Sequence, residues 1–319
     1  MGDVSVVIPA RNAAATLPAA LKSVLIAPEV GEVIVINDGS TDGTADVARA
    51  IGDPRVRVIP GPQAGVAAAL NAGFDAVTKP LVARCDADDA CPPDRFRWQV
   101  GWLLDHPDFI AVSGGFASRF PDGTHAADLA CEGEARDVTS LLLRGESVTH
   151  LCTWLTRTEA VRRAGGARIW FRTGEDIDLQ YRLSEVGKIW HVPYVTYFYN
   201  LNDQSITHTE NSETLKFYHS MARQFALERL ATREDALSRG EPPLPPLDVK
   251  NDRRRVRGRD QALGHAIGAA WAECSAGIYG PAIRRLLTIA AKNPNDLSLY
   301  IELIKIHIKV LSQKTGTFG

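Results

Sequence analysis

Leu81-Val82-Ala83-Arg84-Cys85-Asp86-Ala87-Asp88-Asp89 is the stretch on which the reading of the fold turns. An apolar run ends in three carboxylates within four residues, so a strand buried in a core opens onto like charges at its edge. Two carboxylates about 4 Å apart repel by about 4 kcal/mol at an effective dielectric near 20, which calls for a cation between them. On an extended chain rising about 3.3 Å per residue, Asp86 and Asp88 point to one side and Asp89 to the other. That geometry suits a divalent cation with oxygen ligands, itself holding phosphates. A local reading stands beside it. Acids suit the start of a helix, and Pro92-Pro93 marks one there.

Outward from this stretch, short β-branched runs alternate with helical patterns. Residues 4–8, 32–36, 55–59 and 81–85 read as strands, and 14–26, 42–51, 65–77 and 95–105 as helices. Apolar runs this short, separated by helices, imply a parallel sheet covered on both faces. Right-handed crossovers then give a doubly wound α/β architecture, whose ligands bind beyond the carboxyl ends of the strands. The segments at those ends are 9–12, 37–41 and 86–89. From residue 109 the pattern is mixed, with a hairpin over 109–120 turning at Pro121-Asp122-Gly123. Further strands are expected at 153–156, 189–192 and 195–199, with a helix over 176–186. The last third is helical at 217–237, proline-rich at 241–247 and basic at 250–259. That basic decapeptide holds Lys250 and five arginines against Asp252, a net charge of +5. Helices follow at 261–274, 280–292 and 297–311. The expected division is a domain over 1–215, a helix and linker over 216–260, and a helical region over 261–319.

With 319 residues, 45% hydrophobic and 23% charged, the chain can bury a substantial core. A net charge of −2 argues against a nucleic-acid partner. Five widely spaced cysteines with no Cys-x-x-Cys indicate neither a zinc site nor a disulfide framework and fit a reducing cytoplasm. The chain enters Val4-Ser5-Val6-Val7-Ile8 without a basic leader, and no run reaches the ~18–20 apolar residues of a membrane span. The expectation is a cytoplasmic protein, soluble or peripheral at the membrane.

Two more segments carry chemistry. In Asn37-Asp38-Gly39-Ser40-Thr41-Asp42-Gly43-Thr44, Ser40 or Thr41 suits a helix cap, and Gly39 relieves the turn. The Asp38 carboxylate also suits a hydrogen bond from a nucleobase imide or a ribose hydroxyl. In Thr173-Gly174-Glu175-Asp176-Ile177-Asp178-Leu179, the acids favour a helix start, and Asp178 pairs with Arg182 one turn on. A carboxylate at that entrance, opposite a metal–phosphate site, is also what activation of a hydroxyl requires.

In this order and spacing the segments resemble the family 2 glycosyltransferases, inverting enzymes of the GT-A fold: a mostly parallel twisted sheet flanked by helices, here with a helical C-terminal extension. The likeness covers roughly residues 3–210 and also rests on Ala69-Leu70-Asn71-Ala72-Gly73, His106-Pro107, His150, Gly165-Gly166 and Gln180-Tyr181-Arg182. It implies that Pro9, Arg11, Asn12 and Asn71 line the donor-nucleotide pocket and that Asp38 meets the base. Arg84, Asp86 and Ala87 continue that pocket, and Asp86 and Asp88 hold Mg2+ or Mn2+ on the diphosphate. Asp176 is then the base, with Glu175 beside it, and His150, Trp154 and Trp170 lie toward the acceptor. Where the family often carries an Arg and a metal-binding His after the last strand, this chain reads Tyr199-Asn200-Leu201-Asn202-Asp203. His208 is then either a substitute metal ligand or a solvated loop residue. For the aromatic residues, core packing is the alternative to stacking on sugar.

The resemblance implies a UDP-, GDP- or dTDP-sugar donor and a glycan, lipid-linked or natural-product acceptor. Two other classes stand beside it: a sugar-phosphate nucleotidyltransferase, which needs a glycine-rich loop where residues 7–16 have no glycine, and a catalytically silent scaffold. In the last helix the polar positions Ser298, Glu302, Lys305, Lys309 and Ser312 leave a broad apolar surface. It either packs on the main domain or a second copy, or, with the basic run, lies on anionic lipid.

Overall fold

The computed structural model of the protein describes residues 2–202, 212–246, 258–292, 294 and 296–315. Its first half repeats a strand–helix unit: β1 (Val4–Ala10), α1 (Leu17–Leu25), β2 (Val30–Asn37), α2 (Thr44–Ala50), β3 (Val56–Pro60), α3 (Val66–Ala76), β4 (Leu81–Arg84) and α4 (Arg95–Asp105). The second half holds β5 (Phe109–Arg119), β6 (His125–Leu129), β7 (Arg136–Asp137), α5 (Thr139–Leu143), β8 (Leu155–Arg157), α6 (Thr158–Arg163), α7 (Glu175–Val186), β9 (Lys188–Asn200) and α8 (Ser212–Thr232). The chain closes with α9 (Gly258–Ser275), α10 (Tyr279–Lys292) and α11 (Leu297–Thr315).

The nine strands form one sheet in the order β3-β2-β1-β4-β8-β5-β9-β7, with β6 paired to β5. The β3-β2-β1-β4 half is parallel, as the alternating pattern requires. Beyond it the sheet is mixed: β8 runs antiparallel to both β4 and β5, and β7 antiparallel to β9. These antiparallel pairs join strands that are not consecutive in the chain, so tertiary pairing sets their direction, not a strand–helix crossover.

Both faces of the parallel half are buried, and strand alternation divides its side chains between two cores. Val7, Ile34, Ile36 and Val82 pack with Leu70 and Phe74 of α3. Val6, Ile8, Val33, Val35 and Ala83 pack with Leu17 and Leu21 of α1 and with Phe96 of α4. This is why the strands read as continuous apolar runs. Helix α1 starts later than its apolar pattern suggests. Side chains of the β2–α2 loop occupy the preceding N–H groups: Ser40 Oγ takes that of Asn12 at 3.0 Å, Thr44 Oγ1 that of Ala13 at 2.8 Å, and Asp42 Oδ2 that of Ala14 at 3.0 Å.

The described residues sort into two compact units. One lies within Met1–Phe116, Leu129–Tyr199 and Thr209–Arg255, the other within Ala117–Asp128, Asn200–His208 and Val256–Gly319. Helix α8 therefore belongs to the first unit and not to a linker, and the β5–β6 turn joins the C-terminal helices. In the second unit α9 buries Ala262, Ala266, Ala270 and Cys274 at four-residue spacing, α10 buries Leu286 and Ile289, and α11 buries Leu299 and Ile306. Among the described residues, no helix is long and apolar enough to cross a membrane. Of the basic run, Lys250, Arg253, Arg254, Arg255 and Arg257 lie outside the described residues.

Helix α7 is held by a buried ion network. Asp178, fully buried, accepts Arg182 at 2.9 Å and also Arg168. Arg168 reaches Asp235 at 2.6 Å, and Arg229 joins Asp235 to Glu185, the latter at 2.7 Å. Arg182 also donates to the carbonyl oxygen of Gly166 at 2.6 Å. The helix is thus tied to α8, to the loop beyond it and to the turn after α6. Breaking a buried pair by removing one partner costs about 3–5 kcal/mol, so Asp178→Ala should lower the urea-unfolding free energy by that amount, and a loss below 1 kcal/mol would show α7 is held otherwise. Burial works to raise the Asp235 carboxyl, but the Ser238 N–H and the guanidiniums of Arg229 and Arg168 hold it down at about 2. Its contribution is therefore complete above about pH 4 and drains away as pH falls through about 2. The stability difference between wild type and Asp235→Asn should shrink across that interval.

Candidate active site

The site is organised by Arg84, the last residue of β4. Its Nε donates to Asp86 Oδ1 at 2.7 Å, and its Nη1 to Glu175 Oε1 at 3.1 Å. One guanidinium, whose side chain is only 11% exposed, thus links the acids after β4 to the acids that open α7. Burial works against its charge, but Asp86, Cys152, Glu175 and Asp176 more than offset this and raise its pKa. Asp86 and Asp176, far apart in sequence, share one electrostatic neighbourhood.

Beyond β4 the acidic stretch folds into a turn, the Asp89 N–H donating to the Asp86 carbonyl at 3.2 Å. Asp89 is buried, and its Oδ2 accepts the Tyr197 hydroxyl at 2.8 Å. The same hydroxyl accepts the Asp86 N–H at 2.9 Å, so Tyr197 of β9 fixes both ends of the turn. Reciprocal backbone bonds between Ala90 and Phe198 pin the following residue to β9 as well. Asp88 stays partly exposed, and Asp86 Oδ2 also accepts the Cys152 thiol at 3.4 Å. Ala87 puts its side chain into the core, leaving only its backbone for a ligand.

Gly174, at φ 76°, turns the chain into α7 and presents Glu175 and Asp176 in its first turn. Burial, and next the charge of Asp176, push the Glu175 carboxyl up to about 7, with Arg84 opposing. Asp176 is half-buried beside it. His150 is open to solvent on one side and packed on the other, against Phe116 at 4.5 Å and Tyr199 at 5.6 Å between ring centres. Desolvation lowers its pKa below 6.5, ahead of the opposite pull of Asp176 and Asp86, so its ring is neutral at pH 7. His219 of α8, not singled out from the sequence, lies so close to Gly174 that a Cβ there would sit 3.0 Å from its ring.

The other expected donor-side residues lie at the ends of β1 and β2, which pair through Ala10 and Asn37. Asp38 is buried and accepts the Gln63 N–H at 2.6 Å. Asn12, at φ 51°, accepts the Thr41 N–H at 2.8 Å, and Pro9 and exposed Arg11 precede it.

Three expectations meet a different placement. The Asn71 amide is engaged by Ala167, donating to its carbonyl at 2.8 Å and accepting its N–H at 2.7 Å. It clamps α3 to the turn after α6 and borders a cavity of about 450 Å3 that none of the acids above lines. Trp154 is 2% exposed and packs in the core, not toward an acceptor. Trp170 packs against Phe171 at 5.0 Å, Tyr218 at 5.2 Å and Phe225 at 5.5 Å, an aromatic cluster on α8. His208 lies outside the described residues.

Among the described residues no three His, Cys, Asp or Glu side chains converge as a metal-binding group. Asp86 and Asp88 nevertheless fit a Mg2+ or Mn2+ that takes one or two carboxylates from the protein and its remaining ligands from water and substrate phosphates.

A parallel half-sheet with acids beyond its carboxyl edge, facing acids at a helix start, defines a GT-A glycosyltransferase fold. Solved structures agree: TarS residues 1–349 of S. aureus, in complex with UDP-GlcNAc, superposes with a TM-score of 0.60 at 15% identity, covering 99% of this chain and 93% of that one. The mannosyltransferase PcManGT of Pyrobaculum calidifontis, in complex with GDP-Man and Mn2+, gives 0.50 at 20% identity over 98% and 88%. The chain belongs to glycosyl transferase family 2, whose sequence profile matches residues 5–164. It is similar to the succinoglycan biosynthesis protein ExoU of Rhizobium meliloti, 35% identical over 193 residues, and to the chondroitin synthase of Pasteurella multocida, 28% identical over 230. These alignments cover 56% and 71% of this chain but only 56% and 23% of those relatives.

The Glu175 carboxyl yields a pH signature. An unfolded glutamate titrates near 4.3, so between about pH 4.3 and 7 the folded state holds a proton that the unfolded state has lost. This carboxyl therefore costs stability as pH rises through that window. Glu175→Gln should flatten the decline measured by urea unfolding from pH 5 to 8, and an unchanged slope would place Glu175 in an ordinary solvated setting.

Proposed function

We propose that the protein moves a sugar from a nucleotide-diphosphate sugar to an acceptor hydroxyl by direct displacement with inversion at the anomeric carbon. The observation that carries this reading is the Arg84 bridge, which brings Asp86 and the Asp176 end of α7 to one guanidinium. Asp176 takes the acceptor's hydroxyl proton while that oxygen bonds to the anomeric carbon, and the bond from that carbon to the diphosphate oxygen breaks. Glu175, buried beside Asp176, holds its proton up to about pH 7. Neutral His150 offers an uncharged hydrogen-bonding edge to the acceptor. Asp38, with Pro9, Arg11 and Asn12, receives the donor's base and ribose.

Asp86 and Asp88 would hold a divalent cation on the diphosphate, where it disperses charge on the departing group. The UDP-GlcNAc and GDP-Man complexes of the structural relatives support a nucleotide-sugar donor, and the Mn2+ of the second supports the metal. The names of the sequence relatives, in succinoglycan and chondroitin synthesis, support a saccharide acceptor on a growing polysaccharide.

A positioned general base contributes about 10²–10⁴-fold, so Asp176→Asn should lower kcat by that factor while thermal unfolding stays near wild type. A rate within about twofold of wild type would remove Asp176 from the role. Asp88→Ala should abolish Mn2+-dependent binding of nucleotide sugars in calorimetry across a UDP-, GDP- and dTDP-sugar panel. Unchanged affinity would place the diphosphate elsewhere.

A further inference from the structure

We propose that the outward face of α11 is a docking surface for anionic lipid. The helix is apolar on two sides. Leu299 and Ile306 are fully buried within its own compact unit. On another side Leu297, Ile301, Ile304 and Ile308 are 74%, 51%, 59% and 60% exposed, and Tyr300 is 39% exposed. At 100° per residue these five positions fall within a stripe about 100° wide that runs along the helix. Scattered single apolar residues on a surface need no explanation, whereas a continuous stripe of this kind marks an interaction site.

Charge selects the occupant. From Leu297 to Thr315 the sequence carries three lysines (Lys305, Lys309, Lys314) and one acid, Glu302, a net +2 in a chain whose total is −2. Glu302 is turned to its own unit, accepting the Trp271 indole N–H at 2.8 Å and Lys305 at 2.7 Å. Lys309 lies over the Trp271 ring, 5.4 Å from its centre. Asp296, just before the helix, faces Arg259 at 3.5 Å. The residues that border the stripe are Ser298 and Lys305 on one edge and exposed His307 on the other. The edges are thus neutral or cationic.

The four-, three- and four-residue steps of the aliphatic positions also match a coiled-coil seam, but such pairs take their partner from opposite charges on the flanking positions. A second copy would supply none here, since the bordering residues Ser298, Lys305 and His307 include no acid. An apolar ridge bordered by Lys305 and by no acid instead matches a helix lying in the headgroup region of an anionic bilayer, with Lys305 among the phosphates. The helix lies on the surface and does not span it. Neither the face nor its charge depends on which sugar the enzyme transfers.

Flotation of the full chain with phosphatidylcholine vesicles, with and without phosphatidylglycerol, tests this. Binding is expected only with the anionic lipid and should weaken with added salt. Because burying one isoleucine is worth about tenfold in partitioning, Ile304→Glu with Ile308→Glu should lower the bound fraction by tenfold or more. Lys305→Glu, a milder change, should weaken binding severalfold with an unaltered melting curve, which keeps the test valid if the double variant misfolds. Three results would overturn the proposal: no vesicle binding, equal binding to neutral vesicles, or a dimer in light scattering that Ile304→Glu dissociates while vesicle binding is absent.

Discussion

A buried guanidinium facing carboxylates on two sides is the constraint from which the site follows. Arg84 stands where the parallel strand β4 ends, and there the chain places Asp86, Ala87, Asp88 and Asp89 in succession. Without a fixed cation those acids would repel one another and the acids of α7. With it, Asp86 and Glu175 are bound to a common centre and Asp176 is held nearby. The cost of burying Arg84 is offset by several carboxylates at once, whereas Glu175 retains its proton to about pH 7 because it is buried beside Asp176, against the pull of Arg84.

The surrounding structure keeps that arrangement rigid. Tyr197 holds the Asp86–Asp89 turn from β9, so the acidic turn cannot relax toward solvent. On the opposite side, Asp178 and Asp235 anchor α7 through Arg168, Arg182 and Arg229, fixing the base-bearing first turn from behind. Asn71 performs a similar service for the turn at Gly166, whose φ of 65° and close approach to the Asn71 amide leave no room for a side chain. Strand order, buried tyrosine and ion network all serve one purpose: two acidic segments meet at fixed geometry.

Much of this was legible before any coordinates. The continuous apolar runs of β1, β2 and β4 read correctly as parallel strands, since both of their faces are buried. Asp89 is the buried acid of the three, but it is placed by a turn after β4 and not by the period-two alternation of an extended chain. Contacts between distant residues were not legible. Tyr197 acts on Asp86 from 111 positions away, and no local pattern marks it. The antiparallel half was hidden for the same reason: β8 has only three residues, too few to show a period, and its place between β4 and β5 is set by tertiary pairing. For Trp154 and Trp170 the sequence leaves stacking on sugar and core packing both open, and the core claims them.

The account stands most directly on the coupling between Arg84 and Glu175. A double-mutant cycle of Arg84→Met and Glu175→Gln, read by urea unfolding at neutral pH, measures it. Contacting residues in one ion network couple by about 0.5–3 kcal/mol, and a value of at least 1 kcal/mol is expected here. Additive effects, with no coupling beyond error, would mean that Arg84 does not join the two acidic segments, and the site drawn around it would be contradicted.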